Sequence, residues 1–463
     1  MPSSQALERR GQRAAMAMVL LNGFSMPMML SAVNVALPSI VDDLAMDAVM
    51  LSWVPMAFLM ASAALVLTFG RLADMFGRKR LYLIGTTALI GTSILAAGAT
   101  SGTMIIVFRL LQGVSAAMIY GTHIAIVSSV YPPAERGRMI GLTVAVIYVG
   151  LTCGPLIGGW LIGYFGWRAA FLVHVPMCVA ALIVGVWLVK AEWRAAQPGR
   201  FDIVGALLYT VAIVTFMVGI SGLFGGNSVF AMGLGAFGFW LFFRHQHGRR
   251  DPLFDVSLFY TNRVFTMSCA ASVIMYTATF ANIVVISLYL QYLQGMTPGA
   301  AGMVLMSQPL VMAIVSPYAG RLSDRIEPRI IATSGMGFTA VGLALLASIT
   351  ASTPIALIVA YLMTTGLGFS LFSSPNANAI MGSVESNQYG IAGSSVATMR
   401  VIGQLASMGI VAMAFAVTLG PVQITPEVYP QLGHALRLSF CIAAGLCLAG
   451  IYLSLVRGRM HSA

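Results

Sequence analysis

Four basic side chains lie well inside long apolar runs of this sequence. Two are arginines, Arg109 in FRLLQGVSAA and Arg400 in SSVATMRVIGQ, and two are histidines, His123 and His174. An arginine in an apolar span usually faces a bundle interior or an aqueous cavity, although Arg109 could instead extend to the nearest interface. A histidine can change its charge near neutral pH, so His123 could carry a proton, whereas His174 is better explained as a packing residue.

The carboxylates are informative because none of them lies in the middle of an apolar run. All 14 Asp and Glu residues fall in loops or at predicted helix ends. Coupling to protons or cations usually relies on a carboxylate near the middle of the membrane. A proton carrier here would therefore be one of the few titratable groups near a moving interface, and Asp74 and His123 are the candidates.

Composition excludes a soluble protein. Of the 463 residues, 59% are hydrophobic and 8% are charged, whereas soluble domains carry about 25% charged residues. The formal net charge of +11 does not indicate a nucleic-acid partner, because the basic residues fall in short loops, where they set membrane orientation. The five cysteines have no disulfide or metal-ligand spacing. We expect no cofactor, no metal and no enzymatic activity, since there is also no nucleophile–base pair or phosphate loop.

The apolar runs predict fourteen membrane-spanning helices. In the loops, nearly all basic residues alternate onto one side, and only Arg168 and Arg437 fall on the other. This alternation predicts that both termini are cytoplasmic in a multi-pass protein of the inner (plasma) membrane. The predicted spans are approximately 14–38, 49–69, 81–98, 103–124, 137–163, 167–189, 203–222, 229–243, 264–290, 299–318, 330–348, 354–374, 389–415 and 436–456.

A charged turn, GRLADMFGRKR at Gly70–Arg80, separates the second and third predicted helices, and a shorter copy, GRLSDRIEPR at Gly320–Arg329, follows the tenth. Two copies at matching places predict two pseudo-symmetric six-helix halves, residues 1–190 and 263–463, around a linker with two extra helices, residues 191–262. We expect Asp74 at the start of the third helix, facing the positive end of its dipole. The residues of interest in the two turns are Gly70, Asp74, Gly77, Arg78, Arg80, Gly320 and Asp324.

The fifth predicted helix carries GLTCGPLIGGWLIG, in which Gly150, Gly154 and Gly158 recur every four residues. Small residues at this spacing let two helices approach closely, and Pro155, beside Gly159, bends the helix and leaves a carbonyl without its usual partner. Two interpretations remain open: static packing, or a seam that bends during a transport cycle.

Polar and aromatic side chains scattered through the predicted helices are candidates to line a cavity near the middle of the membrane. They are Asn34, Trp53, Tyr120, Tyr148, Tyr276, Asn282, Gln308, Asn376, Arg400 and Gln404.

Taken together, these motifs resemble the major facilitator superfamily, and within it the fourteen-helix drug/proton antiporter branch (EmrB/QacA-type). The turn at Gly70–Arg80, the FRLLQG run and the GLTCGPLIGG run each resemble a motif of that branch. The resemblance implies that Asp74 and Arg78 form a charge lock between halves, that Arg109 assists proton transfer, and that the glycine–proline seam controls bending and leakage. Two positions depart from the branch, which often has Asp where Met29 stands and Asn where His174 stands.

The sequence therefore predicts a monomeric secondary transporter that exports amphipathic small molecules by proton antiport and alternating access. The missing acid near Met29 weakens selection of cationic drugs, so an exporter of a specific anionic or neutral metabolite or of a lipid is the alternative. From another class, a membrane sensor or scaffold that does not transport also stays open.

Overall fold

Fourteen long helical segments follow one another in the computed structural model, which describes residues 4–194, 199–221, 227–323, 325–385 and 389–458, and a five-residue helix, Ser257–Thr261, lies between the eighth and the ninth. Within those ranges there is no β-strand, only an isolated bridge between Asp47 and Gln423. The helices are α1 (Ser4–Asp43), α2 (Ala48–Phe76), α3 (Arg78–Ala97), α4 (Gly102–Val130), α5 (Pro133–Phe165), α6 (Arg168–Leu188), α7 (Ile203–Ile220), α8 (Ser228–Gln246), α9 (Arg263–Leu293), α10 (Pro298–Ser323), α11 (Pro328–Ala347), α12 (Ile355–Gly382), α13 (Tyr389–Thr418) and α14 (Tyr429–Val456).

Thirteen of the described helices are long and apolar enough to cross a membrane, which confirms the predicted all-α membrane fold. The remaining one, α8, has 19 residues and ends in polar side chains. At 1.5 Å per residue it measures about 28 Å, close to the roughly 30 Å of a hydrocarbon core. Its own crossing of the membrane stays a prediction, and it packs against α7 as the second arm of a hairpin.

Short polar side chains begin several helices by accepting a hydrogen bond from a backbone N–H of the first turn. Asp47 accepts from Met50 N at 2.7 Å and starts α2, and Ser101 accepts from Met104 N at 3.2 Å and starts α4. Such caps satisfy donors that have no partner within the helix. The positions of these turns are therefore set by local chemistry.

Three of the long segments are interrupted within the membrane. α6 breaks at Val173 and His174, just before Pro176, which has no N–H to donate to the preceding turn. α9 breaks between Thr279 and Asn282, and α10 breaks at Met306. Irregular backbone at membrane depth is tolerated where it is enclosed by protein.

The first six and the last six helices pack in the same pattern. α2 lies on α4, α3 on α4 and α6, and α1 on α5; correspondingly, α10 lies on α12, α11 on α12 and α14, and α9 on α13. The two sets meet along two related seams, α2 with α13 and α5 with α10. The α7–α8 hairpin packs beside α2 and α13, and so it covers one seam and leaves the other uncovered.

The two ends of the bundle differ in how tightly these sets join. We call the end with the α2–α3 turn and the start of α1 the basic face, and the other end the opposite face. Among the described residues, hydrogen bonds between the two sets gather at the opposite face, where residues 25–38 of α1 and 284–290 of α9 are all buried. These bonds are Gln291 Nε2 to Val35 O at 2.9 Å, Tyr292 Oη to Asp42 Oδ1 at 3.0 Å, and Ala48 N to Val422 O at 2.9 Å. The structure is thus closed at the opposite face.

Candidate functional site

The α2–α3 turn places Asp74 differently from the sequence-based expectation. Asp74 lies in the last turn of α2, and α3 begins only at Arg78. The carboxylate that faces the start of α3 is Glu192, whose two oxygens accept from Lys79 N at 2.9 Å and Arg80 N at 3.1 Å. The expectation for Asp74 was wrong because the apolar pattern cannot locate a helix end to within one turn, and Glu192 is distant in sequence.

Gly77 forms the bend of this turn. Its φ of +122° is one that L side chains rarely adopt. A Cβ at this position would lie 2.7 Å from Glu192 Cδ. The glycine therefore serves both the backbone conformation and the close approach of the capping carboxylate.

Asp74 and Arg78 form an ion pair across the turn. Asp74 Oδ1 accepts from Arg78 Nη2 at 2.7 Å and from Nε at 2.8 Å. Arg78 Nη1 donates to Ala125 O at 3.2 Å and to Ser129 Oγ, so the pair ties the end of α2 to α4. The role of this pair as a lock between halves stays a prediction.

The second copy of the turn packs like the first. Gly70 and Gly121 bring α2 and α4 together, since a Cβ at Gly121 would lie 2.9 Å from Gly70 N. In the second set, Gly320 faces Ser374 of α12, and Ser323 Oγ accepts from Asn378 Nδ2 at 2.7 Å. Asp324 lies outside the described residues.

Arg109 is fully buried in α4, so it does not extend to the membrane interface. Its Nε donates to Val54 O at 2.9 Å, its Nη1 donates to Gln112 Oε1 at 2.9 Å, and its guanidinium lies 4.4 Å from the centre of the Phe58 ring. Hydrogen bonds and ring contacts thus compensate a charge for which the described residues supply no carboxylate.

The two positions that depart from the antiporter branch are both connected to Arg109. Met29 contacts it directly, and His174 is linked to it through a chain of hydrogen bonds. Met29 Sδ lies 3.6 Å from Arg109 Nη1. His174 Nε2 lies 3.1 Å from Ser93 Oγ, which accepts from Gln112 Nε2 at 2.9 Å. A continuous chain therefore runs from Arg109 through Gln112 and Ser93 to His174, at the break in α6. Sequence reasoning missed this network, and the joint departure at Met29 and His174 was its only signal.

The glycine seam of α5 has two different faces. Gly154 and Gly158 face α1, where their added Cβ atoms would lie 2.5 Å from Ser31 Cβ and from Ala32 Cβ, respectively. Gly150 also faces α1, at the carbonyl oxygen of Phe24. Gly159 instead faces Pro298 of α10, where an added Cβ would lie 2.5 Å from the Pro298 carbonyl oxygen. The carbonyl oxygen of Pro155 faces Gly302 of α10. One face packs within the first six helices, and the other joins the two sets.

A cluster at mid-depth brings together four of the predicted cavity residues, from four helices. Arg400 of α13 lies 5.9 Å from the centre of the Tyr120 ring of α4. Tyr148 of α5 and Tyr276 of α9 lie within its electrostatic reach. We call these four residues, together with Phe369 and Ser373 of α12, the central cluster.

The rings and hydroxyls of the central cluster are ordered by contacts with α12. Phe369 packs edge-on against Tyr148, with ring centres 6.4 Å apart, and against Tyr276, with ring centres 5.4 Å apart. Tyr148 Oη and Ser373 Oγ form a hydrogen bond of 2.7 Å, which joins the two sets of helices. Such edge-to-face geometry is favourable for aromatic side chains.

The Arg400 guanidinium has no ion-pair or hydrogen-bond partner among the described residues. It is only half-buried, as are Tyr120, Tyr276 and Gln404, which follows Arg400 by one helical turn. Because the opposite face is closed, we expect this exposure to be towards the basic face.

His123 lies one helical turn from Tyr120 on α4 and within electrostatic reach of Arg400. It is buried, and its Nε2 has no hydrogen-bond partner among the described residues. The imidazole fits against Gly23 of α1, where an added Cβ would lie 3.1 Å from its Cε1, and its ring centre lies 6.4 Å from that of Tyr82.

The other predicted cavity residues lie elsewhere. Asn34, Trp53, Asn282 and Gln308 are buried, and each has a polar atom without a partner in the described part of the chain. Asn376 holds Arg457 instead, accepting from Arg457 Nη1 at 2.7 Å. Burial lowers the pKa of Arg457 to about 10. Within the described ranges, no three His, Cys, Asp or Glu side chains are grouped so that they could hold a metal ion.

Comparison with known proteins agrees with this architecture. The profile of the Major Facilitator Superfamily matches residues 19–268 and 268–461. The chain belongs to the major facilitator superfamily. It is 30% identical to the riboflavin transporter RibZ of Clostridioides difficile over 92% of both chains. It is 28% identical to the multidrug efflux pump LfrA of Mycolicibacterium smegmatis, over 93% of this chain and 88% of that one.

A solved structure shares the fold. It is a bacterial homologue of the human lysosomal transporter Spinster in an inward-facing, unoccupied conformation. The TM-score is 0.67 at 14% identity, and the match covers 98% of both chains. The chain is therefore a multi-pass membrane transporter, and the resemblance in its turn and helix motifs is confirmed at the level of the superfamily and its drug-transporting members.

Proposed function

We propose that this transporter exports small amphipathic molecules by proton antiport and alternating access. The observation that carries the proposal is the central cluster, which combines the Arg400 guanidinium, without a polar partner among the described residues, with aromatic rings between two similarly packed sets of helices. Its half-buried residues face one end of a bundle that is closed at the other. The names of two relatives, the pump LfrA and the riboflavin transporter RibZ, support small organic substrates.

We propose that the basic face is cytoplasmic and that both termini lie there, in the inner (plasma) membrane. The distribution of basic loop residues supports this orientation. The central cluster would then be open to the cytoplasm in this conformation. We further propose a monomer of two halves, residues 1–190 and 263–463, with residues 191–262 as a linker that carries α7 and α8. The matched packing of the first six and last six helices supports this division.

Of the three proton-coupling candidates, His123 is the best placed. Arg109 is enclosed by its own hydrogen bonds, and Asp74 is paired with Arg78 near the basic face. His123 lies beside the central cluster with an unpartnered Nε2. Protonation of His123 next to Arg400 would add a second positive charge to the site, so the proton and the substrate can influence each other.

The test uses purified protein in proteoliposomes with an imposed pH gradient, and riboflavin and ethidium as probes. We expect the gradient to drive movement of at least one probe and His123→Gln to abolish that dependence. Asp74→Asn should slow transport while the dependence on the gradient remains. His434→Gln, at an exposed histidine of α14, is the matched control. Probe movement that ignores the gradient would refute antiport, and gradient dependence that survives His123→Gln would refute the role of His123.

A second candidate is export of a specific anionic or neutral metabolite or lipid. The unpaired guanidinium of Arg400 favours it, as does the similarity to the riboflavin transporter RibZ. A sensor or scaffold is the remaining alternative. Overexpression and deletion strains that accumulate every tested compound equally would support that alternative.

A further inference from the structure

We infer that the central cluster is a binding site for planar aromatic anions, with Arg400 as the anchor for the negative group. This inference rests on the proposed export function and names the class of substrate. It is carried by the position of the Arg400 guanidinium, for which the described part of the chain supplies no polar partner, beside aromatic side chains from α4, α5, α9 and α12.

The first feature of the site is the positive charge of Arg400. Arg400 has no acidic partner among the described residues, and every described carboxylate lies at or near a helix end or in a loop. A guanidinium binds carboxylate or sulfonate groups through two parallel hydrogen bonds, which are stronger than bonds between neutral groups. Arg109 differs, because Val54 O and Gln112 Oε1 already accept its hydrogen bonds. Arg400 is half-buried, whereas Arg109 is fully buried, so the Arg400 guanidinium is accessible to a ligand.

The second feature of the site is the arrangement of its aromatic rings. The Tyr120 ring lies beside the guanidinium, and Tyr148, Phe369 and Tyr276 form a connected row of rings through edge-to-face contacts. Flat aromatic molecules pack favourably against such rings in offset or edge-to-face arrangements. Ser373 Oγ bonds to Tyr148 Oη, so one hydroxyl of the row is already partnered and the exposed ring surface dominates. A flat ring system that carries an anionic group matches both features.

The third feature of the site is that its titratable groups disfavour a cationic ligand. Among the described residues, the titratable groups that interact electrostatically with Arg400 are Tyr120 and His123 of α4, Tyr148 of α5 and Tyr276 of α9. None of them is a carboxylate, and His123 adds positive charge whenever it is protonated. A cationic ligand would therefore meet like charge without compensation, whereas an anionic ligand would be attracted.

The test compares three probes that share one ring system: 2-naphthoate, 2-naphthamide and 2-naphthylmethylammonium. Equilibrium dialysis against the purified full-length protein in detergent measures binding. We expect 2-naphthoate to bind at least tenfold more tightly than the amide and the ammonium compound to bind most weakly. Arg400→Gln should remove the tenfold preference and change amide binding by less than twofold. Arg400→Lys should restore part of it, since it keeps the charge but not the planar fork.

The matched control is Arg437→Gln, at an exposed arginine near the opposite face, which should leave all three affinities unchanged. Phe369→Leu should weaken all three probes together, because they share the ring. Equal affinities for the three probes would overturn the inference, and so would an Arg400→Gln variant that loses amide and naphthoate binding equally.

Transport of the same probes in proteoliposomes separates this inference from the proposed function. Preferential binding of naphthoate without movement of any probe would refute export and leave the site intact. Movement of riboflavin or ethidium with no preference for naphthoate would support export and refute the anion site.

Discussion

Arg109 and Arg400 are both arginines inside the bundle, but their surroundings assign them different tasks. Arg109 is fully buried, and backbone, amide and ring partners surround its guanidinium. Its Nε and Nη1 are hydrogen-bonded, whereas its Nη2 has no partner in the described part of the chain, and loss of a partner would leave more of the buried charge uncompensated. Arg400 is half-buried, and the contact of its guanidinium that the described residues show is with the Tyr120 ring. We therefore interpret Arg109 as a residue that positions α2, α3, α4 and α6, and Arg400 as a residue that meets the ligand.

A negative substrate would also gain from the membrane potential. Moving one charge through 100 mV changes its free energy by about 2.3 kcal/mol, which is roughly a 50-fold ratio of concentrations. With an inside-negative potential, export of an anion is favoured. The exchange of one proton inward for one anion outward would be driven by both the pH gradient and the potential.

Asp202 offers a pH-dependent prediction outside the membrane spans. Burial would raise the pKa of this carboxyl, but hydrogen bonds from Gly205 N, His245 and Gln246 outweigh burial and lower the pKa below its usual value. Asp202 therefore stabilises the fold above the unfolded-state pKa of about 3.9, and this contribution is lost as the pH falls through the lower folded-state pKa. Asp202→Asn should reduce stability near neutral pH by about 1–3 kcal/mol and remove this acid-dependent component.

Thermal unfolding of the detergent-solubilised protein from about pH 3 to 7 measures this effect. Glu427→Gln, at an exposed acid, is the control and should unfold like the parent protein. If the difference in unfolding temperature between Asp202→Asn and the parent protein did not change with pH across the acid range, the lowered pKa of Asp202 would be contradicted.

The helix α5 joins two kinds of contact along neighbouring faces. Gly150, Gly154 and Gly158 pack against α1 of the same set, whereas Gly159 and Pro155 meet α10 of the other set. Contacts within a set persist when the two sets rock against each other, and contacts across the seam have to change. The two interpretations of the glycine motif therefore apply to different residues.

This division predicts different outcomes for two neighbouring substitutions. Gly158→Ala would place a Cβ 2.5 Å from Ala32 Cβ, and overpacking of this kind costs about 1–3 kcal/mol of folding stability. Gly159→Ala would meet Pro298 O across the seam. It should leave the unfolding temperature nearly unchanged and shift the population away from the conformation closed at the opposite face by about tenfold, equivalent to about 1.4 kcal/mol.

Unfolding temperature and labelling of a cysteine introduced near the opposite face distinguish the two variants. Gly163→Ala, at a glycine with no neighbour within 4 Å of the added Cβ, is the control for both. The division would be wrong if both variants lost stability equally and labelling stayed at the level of the parent.

The two seams between the sets of helices differ in whether the α7–α8 hairpin covers them. The α7–α8 hairpin covers the α2–α13 seam, and Thr210 Oγ1 donates to Ala64 O at 3.1 Å. Beyond α8, Asp251 pairs with Arg71 at 3.5 Å, which links the linker to the α2–α3 turn. The α5–α10 seam has no such cover, so lateral access from the bilayer for amphipathic molecules is more direct there.

The closed opposite face can be locked experimentally. Asp47 and Gln423 pair as an antiparallel bridge, where Cα atoms lie about 4.5–5.5 Å apart, within the range of about 4.4–6.8 Å that a disulfide needs. An Asp47→Cys/Gln423→Cys double variant should cross-link on oxidation and stop transport, and a reductant should restore it. Cys153→Ser and Cys441→Ser belong in the background, because these two native cysteines are the accessible ones in the described structure.

The Asp47→Cys single variant controls for the loss of the Asp47 cap on α2, and the Gln423→Cys single variant controls for the loss of the Gln423 side chain. Full transport by the cross-linked protein would show that the opposite face does not have to open, and alternating access through this face would then be excluded.

Much of the architecture followed from the sequence alone. The helices, the duplicated turn and the buried arginines were predictable, because membrane spans depend on hydropathy and their ends depend on nearby charged, glycine and capping residues. Gly77 is an example, since its backbone conformation is set by the turn in which it lies. The position of Asp74 was not predictable to within one helical turn.

The partners of each buried side chain were decided only by the tertiary structure. Arg109 reaches His174 through Gln112 and Ser93, and this chain exists only because α3, α4 and α6 pack together. Likewise, Tyr120, Tyr148, Tyr276 and Arg400 come from four helices. Apolar helices carry little local information about which faces meet in a bilayer, since lipid is as apolar as the side chains it replaces. The sequence therefore determined which residues enter the membrane, and helix packing determined which of them form a site.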